Sequence, residues 1–290
     1  MANDINDSGD MTGKTCLVTG STSGIGRETA AELAGLGARV IAHGRDEAKL
    51  AAALTEVRSR AARADLVDSA LADLSSQRQI RRLASELAER HERLDVLVNN
   101  AGVYMRRRVL TEDGIEMTFA VNCLAPFLLT NLLVDLLRAS APARVVNVAS
   151  IAHFAASADL GNLMGERGYD AYNAYAVSKL GVVLITYEMA ERLNDSGVTA
   201  NCLHPGVIST KLLHAGFPFS PGASVRRGAE TPVYLAASPE IEGVSGRYFD
   251  DRRVARSSRE SYEADLRRRL WGICERLTGE RGYTAAYMTG

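Results

Sequence analysis

Thr19-Gly20-Ser21-Thr22-Ser23-Gly24-Ile25-Gly26 joins an apolar β run, Thr15 to Thr19, to a segment with helical spacing, Arg27 to Leu36, in which Ala30, Leu33 and Ala34 share a face. Glycines at that junction let the backbone turn tightly and lie against a pyrophosphate with no Cβ between them. The helix that follows offers free N–H groups and the positive end of its dipole to the phosphates. Glycines also close ordinary strand-helix turns, so the loop gains its weight from its place directly after the first strand. The residues expected to hold a dinucleotide here are Gly20, Ser21, Thr22, Ser23, Gly24, Ile25 and Gly26.

Outward from this loop, strand and helix signals alternate. Arg39 to Ala42 reads as a strand, Glu47 to Arg60 as a helix and Asp65 to Ala72 as the place of a third strand. Helical Ser76 to Arg90 then precedes a buried-strand run, Leu94 to Asn99. Thr111 to Ala139 holds one long helix or two. Arg144 to Val148, Tyr172 to Leu193, Val198 to Leu203, Glu230 to Ala237 and Gly246 to Phe249 continue the alternation. The rhythm predicts an α/β fold, a Rossmann-type doubly wound parallel sheet of about seven strands with helices on both faces. The expected organisation is a disordered 1–11, one catalytic domain over 12–277 and a tail over 278–290. The stripe of Leu266, Leu270, Ile273 and Leu277 predicts a C-terminal amphipathic helix docked on its own domain, with a dimer or membrane-surface contact as alternatives.

With 290 residues, 46% hydrophobic, the chain can bury a sizeable core, and a net charge of -1 gives no reason to expect nucleic acid or an anionic membrane as partner. Arg106 to Arg108, Arg226-Arg227 and Arg267 to Arg269 read as solvated faces. Cys16, Cys123, Cys202 and Cys274 are widely spaced, Cys16 and Cys202 reading as buried reduced thiols. Cys202 and His204 share a strand face, but two candidate ligands do not make a zinc site, and no metal is expected. Met1 to Asp10 lacks a basic segment followed by an apolar run, so neither a signal peptide nor a membrane anchor is read there, and a cytoplasmic location is expected.

His43-Gly44-Arg45-Asp46 stands where a carboxylate would bind the 2′-hydroxyl of NAD and an arginine the 2′-phosphate of NADP. With Gly44 at the strand end, Arg45 is placed for the phosphate, since guanidinium and phosphate form a charge-assisted fork. NADP(H) is therefore favoured over NAD(H). The competing reading gives the ribose to Asp46.

Tyr175 and Lys179, four residues apart on a helix, share one face. Hydride reduction of a carbonyl needs a proton donor at the developing alkoxide, and a phenol near pKa 10 is poorly matched to neutral pH. A neighbouring ammonium should lower the tyrosine pKa. Ser150, at the end of the fifth strand, can hydrogen-bond the substrate oxygen.

These residues together resemble the short-chain dehydrogenase/reductase family over roughly residues 13–250, in its single-domain branch. The narrower likeness is to retinol-dehydrogenase-like and protochlorophyllide-reductase-like members. It rests on Ala38-Arg39-Val40 leading to Arg45-Asp46, on Ala143-Arg144-Val145-Val146-Asn147-Val148 and on His204-Pro205-Gly206-Val207. The resemblance implies a tetrad of Asn122, Ser150, Tyr175 and Lys179, with Tyr175 as acid/base and Lys179 on the nicotinamide ribose. It gives Ser150 to the carbonyl and Asn122 to a water in a proton relay with Lys179. It places Asp73 and Leu74 near the adenine, gives Asn99-Asn100-Ala101-Gly102, with Asn99, Ala101 and Gly102 as cofactor contacts, the support of the adenine-side wall and the central sheet, and sets Pro205, Gly206, Val207, Ile208 and Thr210 beside the nicotinamide.

The substrate is expected between Ile151 to Tyr172 and Leu212 to Arg227. The first segment supplies Ile151, His153, Phe154, Met164 and Tyr169, and the second Leu212, Phe217 and Phe219. The second segment, with Gly216, Pro218, Pro221 and Gly222, reads as a lid. His153 is given no chemical role. The leading function is NADP(H)-dependent interconversion of a ketone or aldehyde with an alcohol on a hydrophobic or polycyclic small metabolite. NAD-dependent alcohol oxidation, enone reduction or epimerisation on the same scaffold, and a nucleotide-sensing protein without chemistry, are the alternatives. The helices containing Leu128 to Leu137 and Val182 to Ala190 offer a two-fold interface for a homodimer.

Overall fold

The alternating signals become one sheet with helices on both faces. The computed structural model describes residues 9–157, 159–216, 219–281 and 283. Among them the sheet has eight strands: β1 (Thr15–Val18), β2 (Arg39–Gly44), β3 (Val67–Leu71), β4 (Val96–Asn99), β5 (Ala143–Val148), β6 (Val198–His204), β7 (Tyr248–Asp250) and β8 (Arg253–Ala255). Their order is β3-β2-β1-β4-β5-β6-β7-β8. The first seven run parallel, and β8 returns antiparallel on β7. This extra strand follows a tight reversal in which Asp251 and Arg252 take left-handed backbone, φ 47° and 63°. Its three residues, Arg253, Val254 and Ala255, are mostly exposed and too few to carry a strand signal in the sequence.

The helices are α1 (Gly24–Gly35), α2 (Glu47–Arg60), α3 (Gln77–Arg90), α4 (Met117–Phe119), α5 (Ala125–Leu132), α6 (Val134–Ala139), α7 (Ala171–Arg192), α8 (Lys211–Gly216), α9 (Val225–Ala237) and α10 (Ala264–Thr278). The long helical region expected up to Ala139 is thus broken. A π-helical turn, Ala120–Leu124, joins α4 to α5 and carries Asn122.

Alternation along the strands divides the core in two. Cys16, Val18, Val96, Val98 and Val146 face α1 and α9. Leu17, Leu97 and Val145 face the side that holds Phe119, Phe127, Leu128, Leu184 and Trp271. All four cysteines are free and buried. Among the described residues no helix is long and apolar enough to cross a membrane.

Two expectations are corrected. Within 1–11, residues 1–8 lie outside the described part, but Met11 is buried and its N–H bonds Leu36 O at 2.9 Å. Past Leu277, Arg81 pairs with Glu280 at 2.5 Å, and the Tyr283 ring stands 5.8 Å from Trp271, so the start of the tail is packed. Arg267 is no solvated charge either: it is buried on α10 between Glu188 and Glu191 of α7. The docked helix α10 covers part of α5 and α7, the faces that the sequence offers for pairing. Trp271 meets Phe127 edge-on at 4.8 Å, and the Arg192 guanidinium lies 4.5 Å over its ring.

Candidate active site

The sheet order reverses direction between β1 and β4, and parallel sheets bind ligands beyond the carboxyl ends of their strands at such a point. A cleft of about 580 Å³ opens there. Of the residues expected to hold the dinucleotide, Gly20, Thr22, Ser23, Gly24, Ile25, Gly26, Arg45, Asp73, Leu74, Ala101, Gly102, Pro205, Gly206, Val207, Ile208 and Thr210 line it. So do Ser150, Tyr175 and Lys179.

Ser21, Asn99 and Asn122 are placed elsewhere. Ser21 is fully buried, its hydroxyl donating to Val18 O and its N–H to His43 O at 2.8 Å. It knits the glycine loop to the sheet. Asn99 lies under the cleft, where its Nδ2 donates to Asn147 Oδ1 at 2.8 Å and Thr130 Oγ1 at 3.2 Å. Asn147 Nδ2 passes the chain on to Thr186 Oγ1 at 2.9 Å. Because removing one member strands buried polar groups, Asn99→Ala is expected to cost about 1–3 kcal/mol in urea unfolding while leaving dinucleotide affinity nearly unchanged.

Asn122 holds Val103 from both sides, accepting its N–H at 2.8 Å and donating to its carbonyl at 3.0 Å, with a further bond to Ser178 Oγ at 2.9 Å. Its amide thereby braces the loop beside Gly102.

The tyrosine also departs from expectation. Burial raises the Tyr175 phenol to about 12, against the pull of a hydrogen bond with the Ser150 hydroxyl. Burial also lowers the Lys179 ammonium to about 8. Lys179 Nζ donates to Val148 O at 2.8 Å and stands 5.8 Å from the Tyr175 ring centroid. Desolvation of both groups, rather than their attraction, decides the two pKa values here.

Hydrogen bonds from the motif residues around it support the glycine loop. Thr19 Oγ1 accepts the N–H groups of Asn100 and Ala101 at 2.9 and 3.0 Å, and Asn100 Nδ2 donates to Thr19 O at 2.8 Å. A Cβ on Gly26 would collide with Asn100 Nδ2 and the Gly20 carbonyl, so this brace exists only with glycine at 26. His43, buried at the end of β2, accepts Gly20 N–H on Nδ1 at 3.2 Å and faces Ala72 O with Nε2 at 3.1 Å. Burial takes it down to about 4, so the ring is neutral at physiological pH. A histidine flanked by apolar strand residues is the signal that pointed here.

The substrate segments are only partly on the cleft. Ile151 and Leu212 line it, joined by Tyr172 and Leu213 from the same two segments and by Val103 from outside them. The tight turn Ile151–Ala155 sends His153 inward, 1% exposed, and leaves Phe154 against its ring at 4.1 Å, away from the cleft lining. Met164 packs on the main core. Tyr169 donates to Met105 O at 3.0 Å and lies 3.2 Å from the Glu116 carboxylate, outside the cleft. Phe219 is 97% exposed, and Phe217 lies outside the described residues.

A parallel sheet with a glycine loop at its switch point and a Ser, Tyr and Lys meeting in the same cleft defines a dinucleotide-dependent oxidoreductase. The chain belongs to the short-chain dehydrogenase/reductase family: the pattern of the short chain dehydrogenases matches residues 14–218. Within it the chain is retinol-dehydrogenase-like. It is 42% identical to retinol dehydrogenase 13 of Homo sapiens over 282 residues, 92% of this chain and 85% of that protein. Among solved structures it is similar to an uncharacterised protein from Mycobacterium paratuberculosis, at 31% identity and a TM-score of 0.80 over 96% of this chain and 97% of the other. It is also similar to the RhlG/NADP complex of Pseudomonas aeruginosa, at 28% identity and a TM-score of 0.68 over 83% and 95%.

Proposed function

We propose that this enzyme interconverts a ketone or aldehyde with an alcohol on a hydrophobic or polycyclic small molecule, with NADP(H) as its preferred cofactor. The observation that carries the reading is the meeting of Ser150, Tyr175 and Lys179 in the cleft that the glycine loop borders. The loop suits a dinucleotide. Gly20 has φ +70°, and a Cβ there would stand 2.9 Å from Ala101 Cα. Ser23 caps α1 without a side-chain hydrogen bond, leaving the first-turn N–H groups to an anion. When bound, the nicotinamide would supply the hydride in reduction and take it up in oxidation. Tyr175 gives its phenolic proton to the carbonyl oxygen in reduction and takes the alcohol proton in oxidation. Ser150, hydrogen-bonded to the same phenol, orients that oxygen. Lys179 keeps a positive charge beside the cleft below about pH 8.

The preference for NADP(H) rests on the division of work at the end of β2. Arg45 lines the cleft. Asp46 is the N-cap of α2, accepting Lys49 N–H at 3.0 Å and pairing with Lys49 Nζ at 2.8 Å. A carboxylate used as a cap is a poor ligand for a ribose. The relative from Pseudomonas aeruginosa was solved with NADP. Arg45 is 64% exposed, so its contact with a 2′-phosphate is discounted for screening. Arg45→Ala is expected to weaken NADPH about tenfold, ~1.4 kcal/mol, and to leave NADH nearly unchanged in fluorescence titration. Tighter wild-type binding of NADH than of NADPH would return the ribose to Asp46.

The substrate class follows from Leu212 and Tyr104, which pack beside Tyr175, and from Ile151, Val103 and Tyr172 along the wall. Apolar walls around a few polar groups suit an apolar carbonyl. The retinol dehydrogenases to which the chain is similar are named for an apolar alcohol. A screen of aliphatic, aromatic and polycyclic carbonyls with NADPH tests it, and turnover restricted to sugars or short hydroxy acids overturns it.

A further inference from the structure

Two buried histidines meet the same peptide group. Ser150 O lies 2.6 Å from His153 Nδ1, and Ile151 N–H points at His204 Nδ1 across 3.2 Å. The carbonyl of Ser150 and the N–H of Ile151 belong to one planar unit, so it is held at both ends. A carbonyl only accepts, which puts the proton of His153 on Nδ1 and leaves its Nε2 to accept Ser258 N–H at 3.1 Å. An N–H only donates, which leaves Nδ1 of His204 bare and puts its proton on Nε2. The two rings are therefore neutral and in opposite tautomers.

We propose that His153 and His204 are positioning residues, clamping the Ser150–Ile151 peptide so that the Ser150 hydroxyl stays aimed at the Tyr175 phenol. The proposal rests on the role given to Ser150 above. His153 is 1% and His204 7% exposed, and His204 also borders the cleft. Ser150 opens the tight turn Ile151–Ala155, and its hydroxyl also accepts Ala152 N–H at 3.2 Å. That hydroxyl therefore moves with the very peptide that the histidines grip. Through Ser258, His153 also ties the serine to the turn Arg259–Tyr262 that leads into α10. Around the two rings stand Tyr248 and Phe154, with the charges of Glu260, Asp250 and Lys179 acting on them.

Asparagine places a polar atom where Nδ1 stands, and leucine fills the space without one. His153→Leu and His204→Leu are each expected to lower kcat for carbonyl reduction about 10- to 100-fold, with KM and Kd for NADPH within about twofold of wild type. His153→Asn and His204→Asn are expected to recover most of that loss. Leucine variants with full kcat, or with NADPH affinity lost in step with kcat, overturn the proposal, as do asparagine variants no better than leucine. Should the leucine variants fail to fold, long-range ¹H–¹⁵N spectra of the wild-type histidines decide. His153 protonated on Nδ1 and His204 on Nε2 support the clamp, and the reverse at either ring overturns it. Ser150→Ala distinguishes this from failure of the functional reading. If that variant turns over at the wild-type rate, the serine has no part in the chemistry, whereas the tautomers report the clamp alone.

Discussion

Tyr175→Phe is expected to lower carbonyl reduction by about 10²–10⁴-fold while NADPH still binds within about twofold of wild type. The change removes one oxygen from a ring that stays packed between Ala152, Ala176 and Leu212, so the fold has no reason to respond. The proton that the phenol gives to the product oxygen has no other source of matched geometry, because the Lys179 ammonium is turned to Val148 O. The pH dependence follows from the same burial. With the phenol raised to about 12, the acid needed for reduction is present throughout the neutral range. Alcohol oxidation needs the phenolate and should rise with pH. Reduction should weaken above about 8, where Lys179 loses its charge. Stopped-flow reduction and steady-state oxidation from pH 6 to 10 check both slopes. Carbonyl reduction by Tyr175→Phe at an undiminished rate would mean that another group supplies the proton.

Trp271→Ala should cost about 3–5 kcal/mol in stability, the largest loss expected of a side chain outside the cleft. The indole is 1% exposed, edge-on to Phe127 and under the guanidinium of Arg192, with its Nε1 donating to Glu275 at 3.0 Å. Its removal leaves a hole between α10, α5 and α7 that these helices cannot close, since Leu270 already rests near Gly181 and Arg267 is fixed by Glu188 and Glu191. Equilibrium unfolding in urea reads the loss. A cost below about 1 kcal/mol would mean that α10 is not part of the cooperative core. A Phe at 271 should recover part of it, since a ring still meets Phe127.

The elements that follow local rules were legible in the sequence. Helix α2 was read to its ends because Asp46 caps it and Leu50, Leu54 and Val57 repeat along it. The glycine loop was legible because no other residue tolerates its approach to Asn100. Tyr175 and Lys179 came from a fixed helical spacing. What was missed depends on distant neighbours. His153 looks like a loop residue until Ser258, 105 positions later, comes to lie against it. Phe154 and Phe219 are as apolar as any wall residue, and only the turn of the backbone sends them away from the cleft. The π-helical turn at Ala120–Leu124 has no residue pattern that sets it apart from an α-helix.

The docking of α10 on α5 and α7 also dictates the order of events at the ribosome. Chains are made from the N-terminus, and compact units form as they emerge. The sheet through β7 and every residue of the cleft are synthesised before Trp271. Until that helix has emerged, the nascent chain presents Phe127, Leu180 and Leu184 without Trp271 and Leu270 beside them, a sticky surface of the kind that chaperones hold. Helix α10 therefore seals this side of the core, and premature termination anywhere between Tyr248 and Ala264 yields a polypeptide with Ser150, Tyr175 and Lys179 in place and that side unsealed.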